Sequence, residues 1–475
     1  MSLLDLFKKK GSGDVAKDRL KLLLVSDRAN CSPEVMEMIK NDIIKVISKY
    51  MVIDAEGLDI QITSTESDSN NGSVPALFAN IPIKDIRNRQ ITKRSIMFKK
   101  YQLRSYNFRL VILLIVTSVY GIAVINSADS SYTIKQCAGL LLSLFVMVVV
   151  SLIDYNWLLR FYWIMYALNF VLLVLVLALG SESKGAQRWI NIGGFRFQPS
   201  ELTKILLIMF TAKLISLYKD RLNTARFLIV LAVLLLVPIA LILMQPNLST
   251  TILLALILFT IIFCAGLSYR IMGIALLCIV PVTIILGIYI SNPNQKLLKD
   301  YQRNRIMTFF EPENNEDGAY QQKYSVQAIG SGQLSGKGLN NDDPSSLNNA
   351  HYIAEGHTDF IFAVMGEELG FIGCCMAILL LSWIVIECII AAVRAKDFAG
   401  RLICCGVAAQ IGFQSALNIA VATQLLPNTG QPLPFFSYGL TSLVSAYISM
   451  GVVLNVSLQR NVERDDEIFA DDFRG

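Results

Sequence analysis

Apolar positions are distributed differently in the two parts of the chain. Residues 1–106 mix polar and apolar positions and contain no apolar run long enough to cross a bilayer. From residue 108 onward, apolar stretches of about 20 residues recur, which is the length of helix that spans the hydrocarbon core of a membrane. The ten predicted spans are residues 108–127, 134–153, 157–179, 201–217, 225–243, 249–267, 271–291, 359–393, 402–422 and 436–457. The pattern therefore predicts a mainly α, polytopic membrane protein with about ten transmembrane helices.

The polar N-terminal part has the pattern of a small α/β domain. Residues 34–50 carry apolar side chains at helical spacing, which predicts a half-buried helix. "GLDIQI" (57–62) alternates as a strand does, and "SVPALFANIPI" (73–83) is a candidate partner strand. Residues 65–73, "TESDSNNGS", would form the turn between them. We therefore expect an α/β domain over residues 1–85.

Composition agrees with a membrane protein. Of 475 residues, 54% are hydrophobic and 17% charged, and the mean hydropathy is +0.51, which is more apolar than ordinary soluble domains. The net charge of +5 is spread over segment ends and forms no continuous patch. Nucleic acid is therefore not an expected partner.

Basic residues predict the orientation and the remaining boundaries. A cluster of Lys and Arg from Lys84 to Arg109 lies before and at the start of the first span, and the positive-inside rule places such a cluster in the cytoplasm. Ten spans then put both termini in the cytoplasm. Residues 86–106 would be a basic juxtamembrane linker, 107–460 the membrane domain and 461–475 a cytoplasmic tail.

One short loop predicted at the outer face carries cations against this rule. It contains Lys184, Arg188, Arg196 and Lys204 beside a turn that bears Trp189. Arg offers a planar fork for phosphate oxygens and Lys adds a point charge, so a phosphate-bearing ligand is one interpretation. The alternative is that these side chains snorkel at the membrane surface.

The stretch "EGHTDF" supplies candidate acid–base chemistry where the eighth predicted span begins. Asp359 follows His357 by two residues and Glu355 by four. A partly desolvated carboxylate near cations can act as a general base on a sugar hydroxyl. The alternative interpretation is that Asp359 caps the helix N-terminus.

Further polar residues lie within or beside the apolar runs. Glu367 and Glu368 are ionisable groups inside a predicted span, where such groups face a cavity or a partner. Lys337 lies in a glycine-rich loop without Walker A spacing, so nucleotide binding is not expected. Pro432 and Pro434 lie in a predicted re-entrant loop, which needs shelter from lipid.

Four stretches resemble, in order, the motifs of the SEDS proteins, the RodA, FtsW and SpoVE group. They are "GAQRWINIGGFRFQPSELTK", "QAIGSGQLSGKGL", "EGHTDFIFAVMGEELGFIG" and "LPNTGQPLPFFSYG", within residues 105–460. The resemblance implies a ten-span enzyme of the bacterial plasma membrane. It would polymerise lipid II into glycan strands at the outer face during elongation or division, release undecaprenyl pyrophosphate, and work beside a class B penicillin-binding transpeptidase.

The resemblance also implies roles for individual residues. Asp359 would be the catalytic carboxylate. Residues expected to bind substrate are Arg188, Trp189, Ser200, Glu201, Lys204, Lys337, Glu355 and His357. Residues expected to support the structure or line the cavity are Glu367, Glu368, Pro432, Pro434 and Ser437. A divalent cation, Mg²⁺ or Mn²⁺, is left open as a cofactor, and its ligands are unknown.

The N-terminal part resembles MinE, the topological specificity factor of bacterial division-site placement. The matching stretches are "MSLLDLFKKK", "DVAKDRLKLLLVSDR" and "EVMEMIKNDIIKVISKYMVIDAEGLDIQI". The first combines apolar residues with three lysines, which suits an anionic membrane surface. The resemblance implies binding of the MinD ATPase through residues 14–28 and dimerisation through the strands. A generic cytoplasmic docking domain is the alternative.

Two other classes of function remain open from the sequence. A flippase or transporter of the lipid-linked precursor would also use intramembrane acids and irregular loops. A non-catalytic scaffold would position cell-wall synthesis through residues 1–85. The concentration of polar residues at the predicted outer face, away from the midplane, favours an enzyme.

Overall fold

The computed structural model divides the chain into two compact units, Met1–Arg94 and Ser95–Gly475. The residues that it describes are 37–38, 41–43, 51–53, 59–66, 73–80, 83–86, 106–183, 186–192, 195–245, 247–274, 277, 281, 289, 303, 307–310, 316–341, 346–350, 352–353 and 355–459. Residues 14–28, residues 87–105 of the linker and the tail 461–475 lie outside this set, as do Lys184, His351 and most of the span predicted at 271–291.

The N-terminal unit contains two pairs of antiparallel strands. β1 (Met51–Ile53) pairs with β4 (Ile83–Ile86), and β2 (Asp59–Glu66) pairs with β3 (Ser73–Asn80). The register of the second pair runs from Asp59 opposite Asn80 to Glu66 opposite Ser73. The two strands expected from alternation are thus present, joined across the polar stretch that was expected to turn.

Helices dominate the second unit. They are α1 (Phe108–Ala128), α2 (Thr133–Leu152), α3 (Tyr162–Leu179), α4 (Pro199–Leu217), α5 (Ala225–Met244), α6 (Leu248–Cys264), α7 (Glu316–Ser331), α8 (Ile361–Val393), α9 (Phe398–Ala422) and α10 (Leu440–Leu458). Between α3 and α4, β5 (Ser181–Ser183), β6 (Ala186–Ile192) and β7 (Phe195–Phe197) form an antiparallel sheet.

Seven of the described helical segments are long and apolar enough to cross a membrane: α1, α2, α3 with the turn before it, α5, α8, α9 and α10. Two more predicted spans correspond to α4, which carries Glu201, Lys204 and Lys213, and to α6, which is apolar but has only 17 residues. The predicted mainly α, multi-pass membrane fold is confirmed.

The outer helices present apolar side chains where lipid would lie. In α2, Ile134, Leu141 and Phe145 are 82%, 70% and 69% exposed. α9 and α10 are mostly buried. Since hydrocarbon solvates apolar side chains as well as a protein core does, this inverted exposure fits a bundle whose centre is formed by α4, α9 and α10.

Two ends of this bundle are distinguished by their contacts. Asn107, Ser151 and Asn455 lie at one end, which we call the Asn107 end. The opposite end, which we call the Asp359 end, carries the sheet β5–β7, the start of α8 and the loop 423–439 between α9 and α10.

The loop 423–439 enters the bundle, as expected from its prolines. Leu433, Phe435 and Phe436 are at most 2% exposed. A Cβ at Gly121 of α1 would lie 2.7 Å from the Cα of Phe436, so only glycine allows this close approach. The loop is therefore sheltered by protein, as irregular backbone at membrane depth must be.

The helix α8 breaks at Gly370, which has a φ of 66°. The chain that follows α7 fills the break. The Phe371 N–H donates to the Gln333 carbonyl at 2.8 Å, and the Gly338 N–H donates to the Glu368 carbonyl at 2.8 Å. Backbone groups released by the break are thus paired again, which a low-dielectric environment requires.

The segment between the predicted spans 271–291 and 359–393 was expected to be a loop, and for part of it that expectation was wrong. Residues 316–331 form α7, and irregular structure begins only after Ser331. α7 is fixed to the end of α9 because Gln322 and Ser325 donate to the carbonyls of Val421 and Ala422. Its polar side chains thus serve tertiary contacts that a local pattern does not reveal.

Candidate functional site

The turn at residues 355–360 carries Asp359 and is held by its backbone. Three consecutive carbonyls of this turn each accept a hydrogen bond from a different donor. The bonds run from the Tyr438 N–H to His357, from Ser437 Oγ to Thr358 and from Asn418 Nδ2 to Asp359, at 2.8, 2.6 and 2.8 Å. The position of the Asp359 backbone is therefore set by α9 and by the loop 423–439.

Asp359 does not cap α8. The N-cap position belongs to Phe360, which makes no side-chain cap hydrogen bond. Within the turn, Thr358 Oγ1 donates to Glu355 Oε2 at 2.9 Å, and Glu355 has a φ of +59°. The capping interpretation of Asp359 was wrong because the helix begins two residues after it, and the half-buried Asp359 carboxylate is left outside the helix.

An aromatic group covers one side of this turn. The ring of His357 stacks on Tyr132 with 4.3 Å between centroids and 12° between planes, and Tyr438 contacts both rings. Burial raises the pKa of Tyr438, and Tyr132 adds to the effect. The Tyr438 hydroxyl is therefore protonated at neutral pH and can donate a hydrogen bond.

A buried ion pair lies beside the turn. Lys204 Nζ is 2.8 Å from Glu201 Oε2 and 2.9 Å from Gln414 Oε1, and Lys204 is 0% exposed. Gln414 Nε2 donates to the carbonyl of Pro432 at 2.9 Å. Lys204 was expected at the membrane surface, and this was wrong: it lies one helical turn from Glu201 on α4 and points into the bundle.

A small cavity joins several of the predicted residues. Its lining is Glu201, Gln410, Gln414, Pro432, Leu433, Pro434, Phe435, Ser437, Ser442, Leu443 and Ala446. Ser200 is buried nearby on α4 and accepts a hydrogen bond from Gln198 Nε2. Ser437 connects this cavity to the Asp359 turn, since its hydroxyl accepts the Leu433 N–H and donates to Thr358.

Sequence reasoning missed the polar residues of α9. Gln410, Gln414 and Asn418 are buried and spaced by four, so they lie on one face of the helix. Gln414 and Asn418 contact the ion pair and the Asp359 turn. A row of amides within an apolar run is a detectable signal, because polar groups in a membrane helix need partners.

Arg188 and Trp189 lie in a strand, where a turn was expected. Both are half-buried residues of β6, and Trp189 is opposite Ser181. The sheet is tied to α10 because Thr441 Oγ1 donates to the Arg196 carbonyl at 3.1 Å. Arg188 and Trp189, as neighbours in a strand, point to opposite faces of the sheet.

A second polar cluster surrounds Glu367 and Glu368. Lys337 Nζ lies 2.8 Å from Glu367 Oε1, and the N–H groups of Leu347 and Asn348 donate to the same carboxylate. Asn348 Nδ2 donates to Glu368 Oε1 at 3.0 Å. These contacts fix the chain after α7 onto α8. A role of Lys337 in substrate binding stays a prediction.

The acid at the other end of α8 is also paired. Glu387 is 5% exposed and accepts a hydrogen bond from Asn107 Nδ2 at 2.9 Å. Among the residues that the structure describes, no group of three His, Cys, Asp or Glu side chains could hold a metal ion. The divalent cation therefore stays a prediction.

The fold and this site define a multi-pass membrane protein with a polar cavity at one end of the bundle. The family model "Cell cycle protein", FtsW/RodA/SpoVE, matches residues 101–462. The chain belongs to this family. "Peptidoglycan glycosyltransferase MrdB" of Escherichia coli (strain K12) is 34% identical over 360 residues, which cover 74% of this chain and 94% of that protein. "Probable peptidoglycan glycosyltransferase FtsW" of Trichlorobacter lovleyi is 33% identical, covering 76% and 96%.

Solved structures show the same fold. A chain from "Structural coordination of polymerization and crosslinking by a peptidoglycan synthase complex" has a TM-score of 0.63 at 28% identity, covering 75% of this chain and 99% of that one. Thermus thermophilus rod shape determining protein RodA has a TM-score of 0.55 at 27% identity, covering 75% and 97%. The predicted class of enzyme, a peptidoglycan glycosyltransferase, is confirmed.

The N-terminal resemblance is confirmed as well. The family model "Septum formation topological specificity factor MinE" matches residues 1–83. A "Cell division topological specificity factor" of Lachnospira eligens is 91% identical over 88 residues, which cover 18% of this chain and 97% of that protein. A MinE domain thus precedes the membrane domain in one polypeptide.

Proposed function

We propose that this protein polymerises lipid II into glycan strands at the outer face of the bacterial plasma membrane, with Asp359 as general base. Both termini would lie in the cytoplasm, so that the Asp359 end faces outward. The observation that carries the proposal is the Asp359 turn: its carboxylate lies outside the helix, and its backbone is held by three hydrogen bonds beside a polar cavity.

Two buried acids near this end are paired with lysines. Glu201 pairs with Lys204, and Glu367 pairs with Lys337, each at 2.8 Å. A carboxylate that is locked to a lysine in a dry site is a poor proton acceptor, because the pair stabilises its charged form. Asp359 is the carboxylate of this end that is proposed to remove the proton, because its turn is joined through Ser437 to the polar cavity.

In the proposed reaction, Asp359 takes the proton of an acceptor sugar hydroxyl. The hydroxyl oxygen forms a bond to the anomeric carbon of the donor sugar, and the bond from that carbon to the diphosphate breaks. Undecaprenyl pyrophosphate leaves with the electron pair, and the proton passes from Asp359 to water. Arg188 in the sheet is proposed to bind the diphosphate, for which a guanidinium group is suited.

A divalent cation, Mg²⁺ or Mn²⁺, is part of this proposal. Mg²⁺ is commonly bound by one or two carboxylates together with substrate phosphates. Glu355, in the same turn as Asp359, offers a carboxylate that fits that ligand set. Such an ion would supply charge neutralisation at the diphosphate.

Two partners are proposed. Similarity to a chain of a peptidoglycan synthase complex supports a class B penicillin-binding transpeptidase beside the membrane domain. The MinE match supports binding of the MinD ATPase through residues 14–28. Together, these two partners would place glycan synthesis at a position in the membrane that is set from the cytoplasmic face.

The test is polymerisation of lipid II by the purified full-length protein, compared with Asp359→Ala. We expect polymer from the wild type and a loss of about 10²–10⁴-fold in rate for the variant, the range for general base catalysis. Equal rates would remove Asp359 as the base. If neither protein makes polymer but lipid II crosses vesicle bilayers, the result would support a transporter. Polymerisation after EDTA treatment tests the divalent cation.

A further inference from the structure

We propose that Asn418 is a positioning residue that fixes Asp359 for proton transfer. This inference rests on the proposed function, because it assigns Asn418 an effect that acts through Asp359. Asn418 lies near the end of α9, 59 residues from Asp359 in sequence, and it is 1% exposed.

Asn418 joins two segments of irregular backbone. Its Nδ2 donates to the carbonyl of Asp359 at 2.8 Å and to the carbonyl of Gln431 at 2.7 Å. Gln431 in turn donates through Nε2 to Ser249 and Thr250 at the start of α6. One amide thus ties the Asp359 turn to the loop 423–439, which is itself fixed to α6.

The orientation of this amide follows from its contacts. Rotating it by a half turn would put Oδ1 against two carbonyl oxygens, so the N–H groups must face them. In this orientation Asn418 Oδ1 is buried and makes no hydrogen bond within the part of the chain that is described. An unsatisfied buried acceptor lowers stability, which indicates that the residue is retained for its two donors.

The hydrogen bond from Asn418 acts on the backbone of Asp359, the residue proposed as the general base. Asp359 precedes α8, which begins at Ile361, so its carbonyl lies outside the helix. The bond from Asn418 restrains that carbonyl. A catalytic group displaced by about 1 Å can lose about a hundredfold in rate, even when substrate binding is retained.

Asn418→Leu and Asn418→Asp remove the donors in two ways. Leucine also removes the unsatisfied Oδ1 of Asn418, whereas aspartate keeps the shape of the side chain. The control is Asn455→Leu: Asn455 is 0% exposed at the Asn107 end and bonds the Ser151 carbonyl and the Tyr155 N–H. It is a buried amide of similar size, far from Asp359.

Lipid II polymerisation and thermal unfolding are measured for all variants, with Asp359→Ala in parallel. We expect both Asn418 variants to lose about a hundredfold in kcat with KM for lipid II unchanged. The control should unfold at lower temperature with kcat unchanged. If either folded Asn418 variant keeps the wild-type kcat while Asp359→Ala is inactive, the positioning role is wrong and the proposed function stands. If Asp359→Ala keeps its activity, the proposed function fails, and the positioning role fails with it.

Discussion

The two ends of the membrane domain use the same kinds of polar side chain for different tasks. At the Asn107 end they bond to helix termini: Asn107 Oδ1 accepts the Leu110 N–H, Asp397 Oδ1 accepts the Gly400 N–H, and Asn455 Nδ2 donates to the Ser151 carbonyl near the end of α2. At the Asp359 end they bond to irregular backbone far away in sequence, as Asn418 does to Asp359.

This difference shows where the fold has been shaped for chemistry. A helix cap satisfies N–H groups that any helix leaves open, and it contributes about 1 kcal/mol of stability. Side chains that hold a loop inside a membrane domain allow a backbone path that helices cannot provide. The polar groups of the Asp359 end therefore hold irregular backbone in place, and those of the Asn107 end satisfy the ends of helices.

The largest change in stability is expected from the buried ion pair. Lys204→Met leaves Glu201 as an uncompensated buried charge, which costs about 3–5 kcal/mol. The double variant Glu201→Gln, Lys204→Met should recover most of that loss. Thermal unfolding in detergent measures both, and a single variant as stable as wild type would show that Glu201 is neutral or solvated.

The break in α8 offers a matched pair of glycines. Gly336 and Gly338 have φ values of 77° and 98°, so alanine at either costs roughly 1–2 kcal/mol from the left-handed backbone. A Cβ at Gly336 would also lie 2.2 Å from the Glu368 carbonyl oxygen, while nothing lies within 4 Å at Gly338. We expect Gly336→Ala to unfold at clearly lower temperature than Gly338→Ala; equal effects would contradict the docking of this loop onto α8.

The smallest change is expected at a helix cap of the Asn107 end. Asn107→Ala removes the cap of α1 and the hydrogen bond to Glu387, and it should cost about 1–2 kcal/mol. The polymerisation rate should not change, because the site lies at the opposite end. Asn107→Ser keeps a cap acceptor and serves as the control. A loss of activity in Asn107→Ala at full stability would show that the two ends are coupled.

Most of the helical fold could be predicted from the sequence. The predicted spans other than 271–291 agree with the described helices within a few residues, from 108–127 for α1 to 225–243 for α5, because bilayer thickness sets the length of an apolar run locally. The contacts of the site could not be predicted in this way. Asn418 reaches Asp359 and Glu387 reaches Asn107 across 59 and 280 residues, and no local pattern encodes such pairs.

The site residues show the same limit. Asp359 could be found because a carboxylate at the start of an apolar run is unusual. The burial of Lys204 could not, since a lysine near a span end is compatible with snorkelling as well as with an internal ion pair. The break at Gly370 was hidden because glycine also occurs in unbroken membrane helices.

The most direct test of the account compares one conservative change at each end of the bundle. Asp359→Asn and Asp397→Asn each replace a half-buried carboxylate by its amide. Among its described hydrogen bonds, Asp397 accepts the Gly400 N–H at the start of α9 and the Tyr155 hydroxyl. Lipid II polymerisation is measured for both proteins at matched folded concentration. We predict no polymer above background for Asp359→Asn and the wild-type rate for Asp397→Asn. Equal rates from the two variants would contradict the assignment of the chemistry to the Asp359 end.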